Sequence, residues 1–121
     1  MMKNPYLKNL KFTATPEELI LKCYEKLVYH LNQASEFFDN VSTRNESLNL
    51  AKDIILELQN SLNDKYDQDV AKNLNNAYDV MINLLYQSLI HKDKNSVALC
   101  LDMAQKLKKS WAIVIESKKN E

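Results

Sequence analysis

The sequence predicts an all-α fold, an antiparallel up-and-down four-helix bundle with an N-terminal tail packed on it. Three observations carry this. Apolar residues recur at three- and four-residue spacing in four separate stretches of about 20 residues. Glycine is absent, and tight hairpins lean on it for positive φ. Both prolines, Pro5 and Pro16, lie before or at the first helix, so nothing after Pro16 forces a break.

The first helix opens in "KFTATPEELILKCYEKLVYHL". Thr15-Pro16-Glu17-Glu18 fits a capping box: Thr15 can accept from the N3 amide, Glu18 can reach back, and Pro16 sits at N1, where its missing N–H is harmless. Leu19, Ile20, Cys23, Tyr24, Leu27, Leu31, Ala34 and Phe38 give a helix from about 16 to about 40. Lys22 falls on its polar side. Thr43 and Glu46 could cap a second helix, whose stripe is Leu48, Ala51, Ile55, Leu58 and Leu62. "NDKYD" at 63–67 breaks it. The third helix, about 68 to 91, has the core face Val70, Leu74, Ala77, Tyr78, Met81, Leu85 and Leu89. His91 and Lys92 suit its C-terminal dipole, and Asp93 suits the next N-cap. The fourth carries Val97, Cys100, Leu101, Ala104, Leu107, Trp111, Val114 and Ile115. The expected organisation is one domain over 1–121: a tail at 1–14, the bundle at 15–117 and a frayed end at 118–121.

Composition narrows the function. Sixteen basic and sixteen acidic residues cancel, which argues against nucleic acid and against electrostatic attachment to a membrane. No apolar run reaches the ~18 residues of a spanning helix, and "MMKNPYLKNLKF" lacks the apolar core of a secretory signal. A cytoplasmic location and reduced Cys23 and Cys100 are expected.

No catalytic, cofactor or metal set is expected. His30 lacks the cationic neighbour that a phosphotransfer histidine would have after it. Paired Glu-x-x-His motifs are absent, and two cysteines are too few for a zinc site. What stands out is the width of the apolar arcs. Leu50 and Ile54 on the second helix, Leu84 and Ile82 on the third, and Leu99 and Met103 on the fourth exceed the arc of a little over ~100° that a core face needs. Such a surplus suits a groove for a partner's amphipathic helix, and such a groove needs cover when empty. Tyr6, Leu7 and Leu10 in the tail are the expected displaceable lid. Leu50, Ile54, Leu74, Tyr78, Met81 and Ile82 are the expected groove residues. Two other readings stand beside this one: a helical adaptor or regulatory bundle, and a self-associating structural bundle whose surplus forms a weak homodimer face.

"NPY" at 4–6, "TATPEELILKCYEKL", "NLAKDIILELQNSL" at 49–62, "VAKNLNNAYDVMINLL" at 70–85 and the late "LKKSWAIV" together resemble the flagellin export chaperone family, FliS. The resemblance implies a cytoplasmic bundle that binds the C-terminal helical segment of flagellin. It would prevent premature polymerisation and deliver its client to the flagellar type III export gate. It also implies that the tail shields the binding surface, with Asn4-Pro5-Tyr6 matching its start and Tyr78-Asp79 matching the Tyr-Asp step of the third helix.

Overall fold

A computed structural model describes residues 15–62 and 66–119, with no account of the side chains of 118 and 119. Among the described residues there are four helices and no strand: α1 (Pro16–Glu36), α2 (Val41–Asn60), α3 (Gln68–His91) and α4 (Lys94–Lys119). Helices consecutive in sequence pack on one another, and α1 closes the ring on α4. The result is the antiparallel up-and-down bundle that short connections dictate.

The local signals explain the ends. The Thr15 capping box forms as expected: the Glu18 amide donates to Thr15 Oγ1 at 3.1 Å and the Thr15 amide to Glu18 Oε1 at 2.9 Å. The α1 helix stops at Glu36, earlier than its apolar stripe suggests, and residues 37–39 turn. The turn is fixed from α2, because buried Arg44 donates from Nη1 to the Phe38 carbonyl at 3.2 Å, with its guanidinium 5.1 Å from the Phe38 ring centroid. A cation thus faces the negative end of a helix that has no basic residue in its own last turn. The cap of α2 is Asn40 rather than Thr43. Asn40 Oδ1 accepts from the Thr43 amide at 3.1 Å, so the helix begins three residues before the expected box could act. Asp93 caps α4, accepting from the Asn95 amide at 3.0 Å and from Ser96 Oγ at 2.9 Å. The α4 helix continues to Lys119, past the point where fraying was expected. Lys22 is on the polar side, ion-paired with Glu25 at 3.2 Å.

Without glycine, the α3–α4 corner places Lys92 in the left-handed region, at φ 53° and ψ 43°. A side chain with a Cβ is disfavoured there by about 1–2 kcal/mol. Lys92→Gly is therefore expected to stabilise the bundle by about 1 kcal/mol, raising Tm by about 3–6 °C in a thermal melt.

The core runs through the middle of the ring. Leu27, Leu31, Leu48, Ala51, Ile55, Met81, Leu85, Val97, Cys100 and Ala104 are all fully buried, one stripe from each helix. Ser88 is buried among them with its hydroxyl satisfied, donating within reach of the Leu84 and Asp93 carbonyls at 3.2 and 2.9 Å. Most of the predicted stripe residues lie in this core or pack against it. Val70 and Val114 are the two that are exposed.

Candidate functional site

Val70 and Val114 are 46% and 41% exposed, although each continues a core stripe. They face a cleft of about 770 Å³ at the end of the bundle where α1 and α3 begin and α2 and α4 end. The start of α1 contributes Pro16, Glu17, Leu19 and Ile20. Ser61 follows α2, Tyr66 precedes α3, and Val70 and Leu74 are in the first two turns of α3. Leu107, Ser110, Trp111 and Val114 come from the second half of α4. Six of these twelve (Leu19, Ile20, Val70, Leu74, Leu107 and Val114) carry aliphatic side chains on the heptad stripes. The bundle has core-type side chains for one more layer than its four backbones close over.

Aromatic and polar groups fix the inner wall. Tyr24 and Tyr78, one helical turn inward from Ile20 and Leu74, are buried and share a 2.5 Å hydroxyl–hydroxyl bond. Trp111 Nε1 donates to Tyr24 Oη at 3.1 Å. Tyr66 meets the Trp111 ring edge-on, with centroids 6.2 Å apart and planes at 85°. Ser61 Oγ donates to the Leu58 carbonyl at 2.7 Å. Burial raises the ionisation of both Tyr24 and Tyr78 above the usual phenol range, so both hydroxyls are neutral. Two of the groups that could have offered the cleft a hydrogen bond, the Trp111 N–H and the Ser61 hydroxyl, are already paired inside the protein.

The structure divides the six expected groove residues among four places. Tyr78 and Met81 belong to the buried core, and a partner on the intact surface cannot touch them. They follow Leu74 on the inward face of α3, at the centre of its stripe and not at its edge. Leu74 lines the cleft. Leu50, 40% exposed, and Ile54, half-buried, are on α2. At about 100° per residue they fall about 140° or more around the helix from Lys52 and Gln59. Gln59 and Lys52 mark the side facing α3: Gln59 Nε2 donates to Asn75 Oδ1 at 2.8 Å and to Asp79 Oδ1 at 2.7 Å, and Lys52 lies 5.7 Å from the Tyr86 ring centroid. Leu50 and Ile54 instead share the side of Glu46 and Glu57, whose charges act on His30 and Cys23 of α1. Ile82 packs partly buried on the α2 side of α3. The six therefore form no single α2–α3 groove, and a polar crossbar spans that seam. The lid residues Tyr6, Leu7 and Leu10 lie outside the described residues.

Sequence reasoning assigned Trp111, Val70 and Val114 to the core and did not single out Tyr66. The available signal was position, since all four lie at the ends of their stripes or beside the polar break at 63–67. His30 is depressed below the usual imidazole range by partial burial and by Lys26. It sits edge-on to Tyr29 on the surface, with centroids 5.2 Å apart. Among the described residues no three His, Cys, Asp or Glu side chains are grouped to hold a metal, and no helix is long and apolar enough to cross a membrane.

Fold and cleft together define a small helical-bundle protein with an apolar recess at one end. The chain belongs to the family described as flagellar protein FliS, whose match spans residues 1–118. The flagellar secretion chaperone FliS of Bacillus subtilis (strain 168) is 28% identical over 125 residues, covering 99% of this chain and 92% of its own length. The protein of the same description from Vibrio cholerae serotype O1 (strain ATCC 39315 / El Tor Inaba N16961) is 31% identical over 72 residues, or 60% of this chain and 53% of its own. A crystal structure of a flagellar chaperone from bacteria superposes with a TM-score of 0.79 at 18% identity, covering 93% of this chain and 94% of that one, which shows a shared fold.

Proposed function

We propose that this protein is a cytoplasmic export chaperone for flagellin. It holds the client's C-terminal helical segment, prevents premature polymerisation and hands the client to the flagellar type III export apparatus. Membership of the FliS family supports the general role, and the unfilled apolar layer at the end of the bundle is the observation that carries the binding mode. An amphipathic client helix places large apolar side chains among Leu19, Leu74, Leu107 and Val114. Leu19 and Ser61 line the cleft, and Ile54 and Leu50 fall on the same side of α2 as Ser61 by helical periodicity. From Ser61 to Leu50 is about 16 Å of helix, so one client helix of about 12 residues reaches both places.

The energetics suit reversible capture. Each large side chain buried contributes about 1.5–3 kcal/mol, so four anchors supply about 6–12 kcal/mol against the ordering and association terms, which keeps capture reversible. The tail is the natural cover for the empty cleft. Leu10 precedes cleft residue Pro16 by six positions, within about 20 Å of extended chain. In this reading Tyr6, Leu7 and Leu10 form a lid that the client displaces.

Isothermal titration with a flagellin C-terminal peptide tests both parts. A micromolar or tighter Kd is expected, and Tyr6→Ala/Leu10→Ala is expected to tighten it severalfold by removing a competitor. No binding at millimolar peptide, together with a stable dimer in light scattering that ignores the peptide, would instead favour the self-associating bundle.

A further inference from the structure

Trp111 has an unusual arrangement for a cleft residue. Its ring faces the recess and meets Tyr66 edge-on, while its N–H is turned inward onto Tyr24. Tyr24 lies outside the cleft lining and is fully buried, and its hydroxyl is tied to that of Tyr78 on the helix diagonally opposite. An indole held only by packing can turn about its side-chain torsions, whose aromatic wells are broad. An indole whose N–H is bonded to a buried acceptor cannot turn without giving up that bond, even though the Tyr24 hydroxyl keeps Tyr78 as a partner.

We propose that Tyr24 is a positioning residue for the cleft: by accepting from the Trp111 indole it fixes the ring as a rigid apolar wall against which the client's anchor packs. This rests on the reading that the cleft receives the flagellin segment. Pre-orientation of this kind strengthens binding because the side chain has no freedom left to lose when the client arrives. It also sets specificity. With the indole N–H consumed inside, that wall presents ring surface and no donor, so it favours an aliphatic or aromatic anchor over one with a polar head.

Two conservative variants separate positioning from structural support. Tyr24→Phe removes the acceptor for Trp111 and one half of the Tyr24–Tyr78 pair. Tyr78→Phe removes the other half of the pair but leaves the Trp111–Tyr24 bond. Both break the same buried pair, so both lower Tm. Only Tyr24→Phe releases the indole. Trp111 is the only tryptophan in the chain, so its emission reads the ring directly. In the full-length protein without client, Tyr24→Phe is expected to shift the emission maximum and lower the anisotropy, with Tyr78→Phe matching wild type. With the flagellin C-terminal peptide, Tyr24→Phe is expected to weaken binding about fivefold and Tyr78→Phe less than about twofold.

Equal emission from the two variants and wild type, or an equal loss of affinity in both, overturns the proposal. If wild type fails to bind the peptide while Tyr24→Phe still releases the indole, the positioning role stands and the client assignment falls. If wild type binds tightly and Tyr24→Phe binds equally well, the client assignment stands and the positioning role falls.

Discussion

Val70→Asp and Val114→Lys, made separately, are each expected to weaken binding of the flagellin C-terminal segment by at least about 30-fold while the bundle stays folded. Each places one charge where the client's apolar stripe would close over it. Burying an unpaired charge under an apolar side chain costs several kcal/mol, and each 1.4 kcal/mol is a factor of ten in Kd. Folding is spared because both valines are more than two-fifths exposed, and surface substitutions of this kind stay within about 0.5 kcal/mol. Helix electrostatics help too: Val70 is in the first turn of α3, where a carboxylate is favoured, and Val114 is near the C-terminal end of α4, where a cation is. The opposite signs matter. Equal losses identify apolar recognition. A loss with one sign and a gain with the other in the same titration would mean that the cleft reads charge instead.

The second large effect is on stability at high pH. Cys100 is fully buried, with its thiol directed at the Met81 carbonyl, Sγ to O 3.8 Å. Burial pushes this thiol up to about 12 from an ordinary value of 9.0. Burial likewise pushes the Tyr24 and Tyr78 phenols above their ordinary 10.0. All three shifts have the same sign. The unfolded chain releases these protons first, so folding stability is intact below about pH 9 and falls as pH rises through the folded values. For Cys100 the interval from 9.0 to about 12 corresponds to about 4 kcal/mol, a large share of a small domain's stability. Urea midpoints measured from pH 8 to pH 11 should therefore fall steeply above pH 9. Cys100→Ala should start lower, because it leaves a small void, and should lose stability less steeply over the same range. Parallel pH profiles for the two proteins would show that the Cys100 thiol ionises in the native state without penalty.

The fold was legible because each level of the sequence agreed with the next. The Thr15 box, the Asp93 cap and the four stripes all point to the helices that form, and the absence of glycine leaves little else. Asn40 was missed as a cap because Thr43 and Glu46 make a more recognisable pattern, although an Asn three residues upstream starts the helix earlier by accepting from the Thr43 amide. The site was only half legible. Arc width pointed to Leu50 and Leu99, which are exposed, and to Ile54, Ile82, Leu84 and Met103, which pack against the core, whereas the cleft is lined by the ends of the core stripes, because a helical wheel collapses position along the axis. It cannot distinguish Tyr78, centred in the core, from Val70, two turns away on the same stripe and open to the cleft. Nor does it show that Gln59 bridges to Asn75 and Asp79 across the seam where a groove was expected. Where a stripe ends matters as much as how wide it is, and that is set by how four helices of different length meet.

Methyl chemical-shift mapping of the protein saturated with the flagellin C-terminal peptide tests the end-cleft account most directly. The largest perturbations are expected at Leu19, Val70, Leu74, Leu107 and Val114, with smaller ones at Ile54 and Leu50. Perturbations confined to Ile82 and its neighbours along the α2–α3 seam, with the five cleft residues unmoved, would contradict it.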